Sequence, residues 1–391
     1  MKMRTFWAAA AAAVGSCVVS IAILGVPGAE SGGGTLKVYN WGEYIDEDVI
    51  TQFEDETGIS VVYDVFETNE EMYPVVEAGG VKYDVVCPSD YMIQRMIDNN
   101  MLAELDYDNI PNADQIGDPY WKMSQGFDPD NKYSVPYCWG TVGILYNKTM
   151  VDEPVDSWSI LWDEKYADSI LMQDSVRDAF MVALKKDGFS ANSTDETELQ
   201  QAKQDLIDQK PLIQAYVIDQ VRDKMIGGEA AIGVYYSGDA ITMIDDNPDL
   251  AWVFPEEGSV LSVDCMAVPA TSEHKEAAEM FINFMCEPDI GKANAEYIGY
   301  TTPMQKVWDI LDEDLKYSEI AYPSEEVEAK EKVFTALSDE VNNELDVKWS
   351  EMKSYNEGGS GVVFLMLLLA MVALACFNIW RKLRKKTRNQ Y

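Results

Sequence analysis

The segment Trp41-Gly42-Glu43-Tyr44 places an indole, a carboxylate and a phenol directly after the strand-like run Leu36–Asn40. In open α/β sheets, ligands sit in the crevice at such strand tips. An aromatic face beside a negative group suits an organic cation. A second carboxylate, Asp264, interrupts the apolar run Val260–Val268. A buried carboxylate needs an internal donor or a ligand cation to offset its desolvation. A third group is Gln173-Asp174-Ser175-Val176-Arg177-Asp178, at the start of a predicted helix. There Asp174 or Ser175 also reads as an N-cap, and Asp178 as a first-turn acid favoured by the helix dipole. Tyr91, Trp139, Tyr236 and Tyr300 stand at or beside predicted strand ends, where such rings are either core or ligand wall.

Carboxylates also serve hydrolases, and an anchored hydrolase using Glu43 and Asp178 is the enzymatic alternative. No other catalytic pattern accompanies them: there is no Gly-x-Ser-x-Gly, no His-Glu-x-x-His and no cysteine with a histidine partner. His274 is the single histidine and is expected in a charged helix. Of six cysteines, Cys17 and Cys376 fall in hydrophobic ends, leaving Cys87, Cys138, Cys265 and Cys286 without a Cys-x-x-Cys pair. A zinc site is therefore not expected, no cofactor is implied, and burial as small apolar side chains is the expectation for each thiol.

Hydrophobic runs frame the 391-residue chain, Phe6–Val26 after Lys2 and Arg4, and Gly361–Trp380. The second has the length of a spanning helix and is followed by the basic tail 381–391, which the positive-inside rule places in the cytoplasm. Residues 1–29 read as a signal sequence or N-terminal anchor. Val14-Gly15-Ser16-Cys17 fits a lipoprotein box, but Val18–Val26 after it is greasier than a mature lipoprotein start. The region between is thus expected outside the cell membrane. Setting the ends aside leaves 22 Lys and Arg against 66 Asp and Glu, a net charge of −44. Such a surface argues against nucleic acid and attracts cations.

The elements that must position these residues alternate cleanly at first. Strands are predicted at 36–41, 59–66 and 83–87, with helices at 47–57, 69–78 and 90–99 between and after them. This βαβαβ order implies an α/β fold with a mostly parallel sheet covered on both faces. Later come helices at about 177–187, 195–209, 219–226, 273–285 and 288–298, and a long one within 324–353. Tyr133–Asn147 and Val260–Val268 are too long for ordinary strands of one lobe and are expected to cross between two. Two such crossings are the layout of a hinge-closing, two-lobed binding protein. The expected division is 36–140 plus 265–315 for one lobe and 141–262 plus 316–353 for the other. A linker at 356–360 then leads to a transmembrane helix at 361–380.

The chain resembles the spermidine/putrescine-binding proteins of polyamine ABC transporters. The resemblance lies in Tyr39–Ile45, Tyr83–Val86 with Pro88–Tyr91, Val135–Gly140, Asp174–Phe180, Gly233–Ala240, Val263–Pro269 and Ile298–Pro303. These segments run in family order over about residues 36–350. The resemblance implies a two-lobed fold like the type II periplasmic binding proteins, with an extended polyamine between aromatic walls and acids at its ammonium groups. It implies Trp41, Glu43, Tyr44, Ser89, Tyr91, Asp178 with Asp174 or Ser175 beside it, Tyr236, Asp264 and Tyr300 as ligand residues. The implied partners are spermidine or putrescine and the membrane subunits of an ABC permease. Spermidine-binding members have tryptophan where this chain has Tyr236 and Ser262, so the ring clamp is thinner and the preferred polyamine stays open. Another organic cation or solute on the same fold is the alternative.

Overall fold

The structure is a computed structural model that describes residues 34–355. Its ten strands are β1 (Thr35–Trp41), β2 (Ser60–Phe66), β3 (Val85–Val86), β4 (Ser134–Asn147), β5 (Ile170–Gln173), β6 (Ile213–Val217), β7 (Ile232–Tyr236), β8 (Leu250–Val253), β9 (Val260–Ala267) and β10 (Lys332–Val333). They run in the order β2-β1-β3-β9-β4-β7-β5-β6, with β10 on β9 and β8 on β4.

The predicted parallel unit stands at one end of this order, where β1 pairs parallel with β2 and β3. A second one, not predicted, stands at the other end, where β5 pairs parallel with β6 and β7. The centre differs from the mostly parallel sheet expected: β4 and β9 run antiparallel to each other, β9 to β3, and β4 to β7 and β8. The long strands cause this. β4 pairs with β9 as far as Thr141 and with β7 from Val142 onward, so one strand serves both halves of the molecule.

Local signals explain the first elements. α1 (Glu47–Thr57) starts where the Asp46 side chain accepts from the Asp48 N–H, and stops at Gly58, whose φ of 73° is left-handed. It buries Val49 and Phe53, the latter edge-on to Phe281 and Phe284. Burying one such ring contributes about 1.5–3 kcal/mol. α2 (Asn69–Ala78) is capped by Thr68 and closed by Gly79, and α3 (Asp90–Asp98) follows Ser89. Together these position the tips of β1 and β3.

β5, β6 and the helix Ser237–Asp246 were not expected from the sequence. β5 is a four-residue, fully buried strand, too short for any periodicity to register. Helices 176–186, 196–209 and 339–354 pack together on this side of the molecule. His274 stands at the N-cap position of the helix Lys275–Met285, with Nδ1 3.3 Å from Asp84, and not inside a helix as expected. Cys87, Cys138, Cys265 and Cys286 are free and buried. Among the described residues no helix is long and apolar enough to cross a membrane. The expected segments 1–29, 356–360, 361–380 and 381–391 lie outside the described residues.

Candidate functional site

A cavity of about 950 Å³ opens between the β2-β1-β3 side and the β7-β5-β6 side of the sheet. Ten of the eleven residues singled out in the sequence line it: Trp41, Glu43, Tyr44, Ser89, Tyr91, Ser175, Asp178, Tyr236, Asp264 and Tyr300. Asp174 does not. Its side chain is exposed and pairs with Lys353 at 2.8 Å, whereas Ser175, its alternative, lines the cavity. Trp139 is buried in the core against Tyr120 and Tyr322, away from the cavity.

Asp264 is reached from two elements. Tyr44, in the turn after β1, donates its hydroxyl to Oδ2 at 2.5 Å, and Ser89, ahead of α3, donates to Oδ1 at 2.7 Å. The register is held by an isolated bridge between Ser89 and Asp264 and by the Cys265 N–H donating to the Pro88 carbonyl. Asp90 adds a further tie, since its carboxylate accepts from the Val263 N–H. Burial pushes the Asp264 carboxyl up to about 6, against the lowering effect of its two hydroxyl donors. Behind it the Cys138 thiol donates to the Tyr44 oxygen at 2.8 Å, and the Tyr137 hydroxyl donates to the Tyr44 carbonyl at 2.6 Å. Trp41 is fixed by its indole N–H on the Cys87 carbonyl at 2.8 Å and by Phe66, 4.5 Å away between ring centres.

Across the cavity, Ser175 caps the helix Val176–Lys186 by accepting from the Asp178 N–H. The capping reading of Ser175 therefore holds, and it is the cap that points Asp178 inward. The Tyr236 hydroxyl donates to Asp178 Oδ2 at 3.1 Å, and burial raises this carboxyl above its ordinary value.

Two further acids repeat the arrangement and were missed in the sequence. Glu70 in α2 accepts from the Tyr91 hydroxyl at 2.9 Å, and Asp239 in the helix Ser237–Asp246 accepts from the Tyr300 hydroxyl at 2.7 Å. Burial raises both carboxyls, that of Asp239 to about 6. Each sits in the first turn of a helix, where an acid is explained by the dipole alone. Asn69 links two of the groups, donating to Ser89 Oγ and to the Tyr91 hydroxyl, each at 3.1 Å.

Glu43 differs from these four. It is exposed at the mouth and adopts a left-handed φ of 51°. Beside it, Gly42 leaves room for Asp219 from the far side, whose Oδ2 stands 2.8 Å from where a Cβ would be. Burial, then Glu67 and Glu43, raise the Asp219 carboxyl. The interior thus offers four negative groups, each already holding one tyrosine hydroxyl, among aromatic faces. Among the described residues no cluster of metal-ligating side chains occurs.

Residues 48–332 match the profile of a family described as bacterial extracellular solute-binding protein. The chain belongs to that family. It is 35% identical to the spermidine/putrescine-binding periplasmic protein of Salmonella typhimurium over 76% of this chain and 85% of that one. It is 27% identical to the putrescine-binding periplasmic protein PotF of Escherichia coli K12, over 82% of this chain and 91% of that one. Among solved structures, a putative spermidine/putrescine ABC transporter protein of Listeria monocytogenes superposes with a TM-score of 0.79 at 39% identity, covering 82% of this chain and 99% of that one. The spermidine/putrescine ABC transporter substrate-binding protein PotD of Streptococcus pneumoniae gives 0.70 at 39%, with the same coverage. The two-lobed α/β fold expected from the sequence is the fold of this extracellular solute-binding family.

Proposed function

We propose that the chain is a membrane-tethered receptor that binds spermidine or putrescine outside the cell and delivers it to an ABC permease by lobe closure. The carrying observation is the set of four carboxylates, buried at Asp178 and Asp264 and half-buried at Glu70 and Asp239, each bonded to one tyrosine hydroxyl around one aromatic cleft. A protonated amine entering a dry site needs strong acceptors, and a carboxylate with one lone pair already oriented offers the rest. Trp41, Tyr44, Tyr236 and Tyr300 supply faces for the methylenes and for the cation. Asp264 and Asp178 take ammonium groups, with Ser89 holding Asp264, Ser175 capping the helix turn of Asp178, Tyr91 holding Glu70 beside them, and Glu43 at the mouth. The similarity to proteins named for spermidine and putrescine supports this choice of ligand.

Binding without turnover is part of this reading, in which the acids, each engaged by a tyrosine hydroxyl, serve as acceptors for the ligand. Lobes at 36–140 plus 265–315 and 141–262 plus 316–353 are part of this proposal, as is closure about β4 and β9. The tether rests on the sequence of 361–380 and of the basic tail. Titration calorimetry with spermidine, putrescine and choline, at low and at molar salt, tests the reading. Saturable polyamine heats that persist in high salt support cleft binding, because buried pairs are screened far less than surface attraction. No saturable heat with either polyamine overturns it.

A further inference from the structure

The cleft already holds one cation, and it belongs to the chain. Arg177, on the helix Val176–Lys186, lines the cavity and is 4% exposed. Its guanidinium carbon lies 4.7 Å from the ring centre of Tyr91 and 4.5 Å from that of Phe334. Its hydrogen bonds go to neutral acceptors, the Thr335 carbonyl at 3.4 Å and Asn192 Oδ1 at 3.3 Å. Glu70, bonded to Tyr91, and Asp178, the next residue, stand close enough for its charge to favour their ionised forms.

Two aromatic faces with two nearby carboxylates are a complete receptor for a cation. Here the occupant is a guanidinium, which stays charged under all physiological conditions. The consequence is local. Of the four acids bonded to tyrosine hydroxyls, Glu70 and Asp178 already have this fixed charge acting on them, whereas Asp239 and Asp264 do not. Arg222, the other basic residue at the cavity, is engaged with Thr242 and Asp246.

Resting on the polyamine reading, we propose that Arg177 is a specificity-determining residue. Its guanidinium occupies the cation position against the rings of Tyr91 and Phe334, beside Glu70 and Asp178, and so disfavours ligands long enough to place a further ammonium group there. A tetra-amine such as spermine would have to place its fourth ammonium against this fixed charge. Phe334 matters as the second aromatic contact of the guanidinium, 4.5 Å from its central carbon.

The test is calorimetry with putrescine, spermidine and spermine on the full-length chain in detergent, comparing wild type with Arg177→Met, Arg177→Gln and Arg177→Lys. Wild type is expected to bind spermidine more tightly than spermine. Met or Gln, which remove the charge, should raise the spermine-to-spermidine affinity ratio by about tenfold or more. Lys, which keeps the charge, should leave the ratio near the wild-type one. Gln keeps a donor for the Thr335 carbonyl, so it serves if the Met variant loses its cooperative melt. A ratio unmoved in a folded Met or Gln variant overturns the proposal, as does wild type binding spermine as tightly as spermidine; both leave the polyamine reading standing. Wild type binding none of the three amines removes the reading and this inference together.

Discussion

Tyr44 and Asp264, 220 positions apart in the chain, meet in a 2.5 Å hydrogen bond at the back of the cleft. The donor comes from the turn after β1 and the acceptor from the long strand β9, so the contact ties a strand tip to a crossing strand. Its acceptor has one partner more in Ser89. The desolvation of Asp264 makes a cation in the cleft a means of relief, and the same holds for its counterparts Asp178, Asp239 and Glu70.

Replacing Asp264 with Asn removes the charge and keeps the shape. Spermidine affinity should fall by about 2–5 kcal/mol, the cost of truncating one side of a buried charged pair. The melting temperature without ligand should stay level or rise, because a desolvated charge has gone. Calorimetry and thermal melts on one preparation check both; unchanged affinity removes Asp264 from the ligand.

Acidification should weaken binding. The Asp264 and Asp239 carboxyls stand at about 6 in the folded chain, above the ordinary carboxylate range. Because the folded values are raised, the empty protein is penalised above about 6 and gains stability as pH falls toward the unfolded value near 4. An ammonium ligand needs the ionised forms, so near pH 6 its binding must release protons. Calorimetry in two buffers of different ionisation enthalpy reads this release directly. Equal affinity at about pH 5.5 and 7.5, with no proton released, would contradict the account.

Tyr300 depends on an absent side chain. A Cβ on Gly238 would come within 2.0 Å of Tyr300 Cδ2, so Gly238→Ala must displace the ring and with it the bond to Asp239. Overpacking of this kind costs about 1–3 kcal/mol of stability. The variant should melt earlier and bind spermidine more weakly than Tyr300→Phe, which drops only the hydroxyl and about 0.5–1.5 kcal/mol. The reverse ranking would show that the ring's position is unimportant.

Asp174→Ala should leave ligand affinity unchanged, since this carboxylate pairs with Lys353 outside the cavity. Both partners are partly exposed, and such pairs contribute about 0–1 kcal/mol to stability. A large loss of affinity would mean that Asp174 turns into the cleft when ligand is bound.

The first lobe-sized stretch was legible because its signals are local. Asp46 and Gly58 bound α1 and Gly79 closes α2, all readable from residue type, whereas the Thr68 cap of α2 emerges only in the structure. Asp264 was legible as a polar interruption of an apolar run, and Tyr44 as a ring at a strand tip. Glu70 and Asp239 were not, because an acid in a helix's first turn has a sufficient local explanation and only the fold brings Tyr91 and Tyr300 to them. Asp174 and Ser175 are adjacent in sequence, and only the helix start decides which of them faces the cleft. β5 and β6 escaped notice because one is a short buried run without alternation and the other a half-buried sheet edge.

The central claim is that tyrosine-held carboxylates clasp the nitrogens of a slender amine. A crystal structure grown with saturating spermidine measures this most directly. The account predicts amine nitrogens within about 3 Å of Asp264 and Asp178 oxygens, with methylenes against Trp41 and Tyr236. A vacant cleft at saturating ligand, or spermidine bound away from these acids, would contradict it.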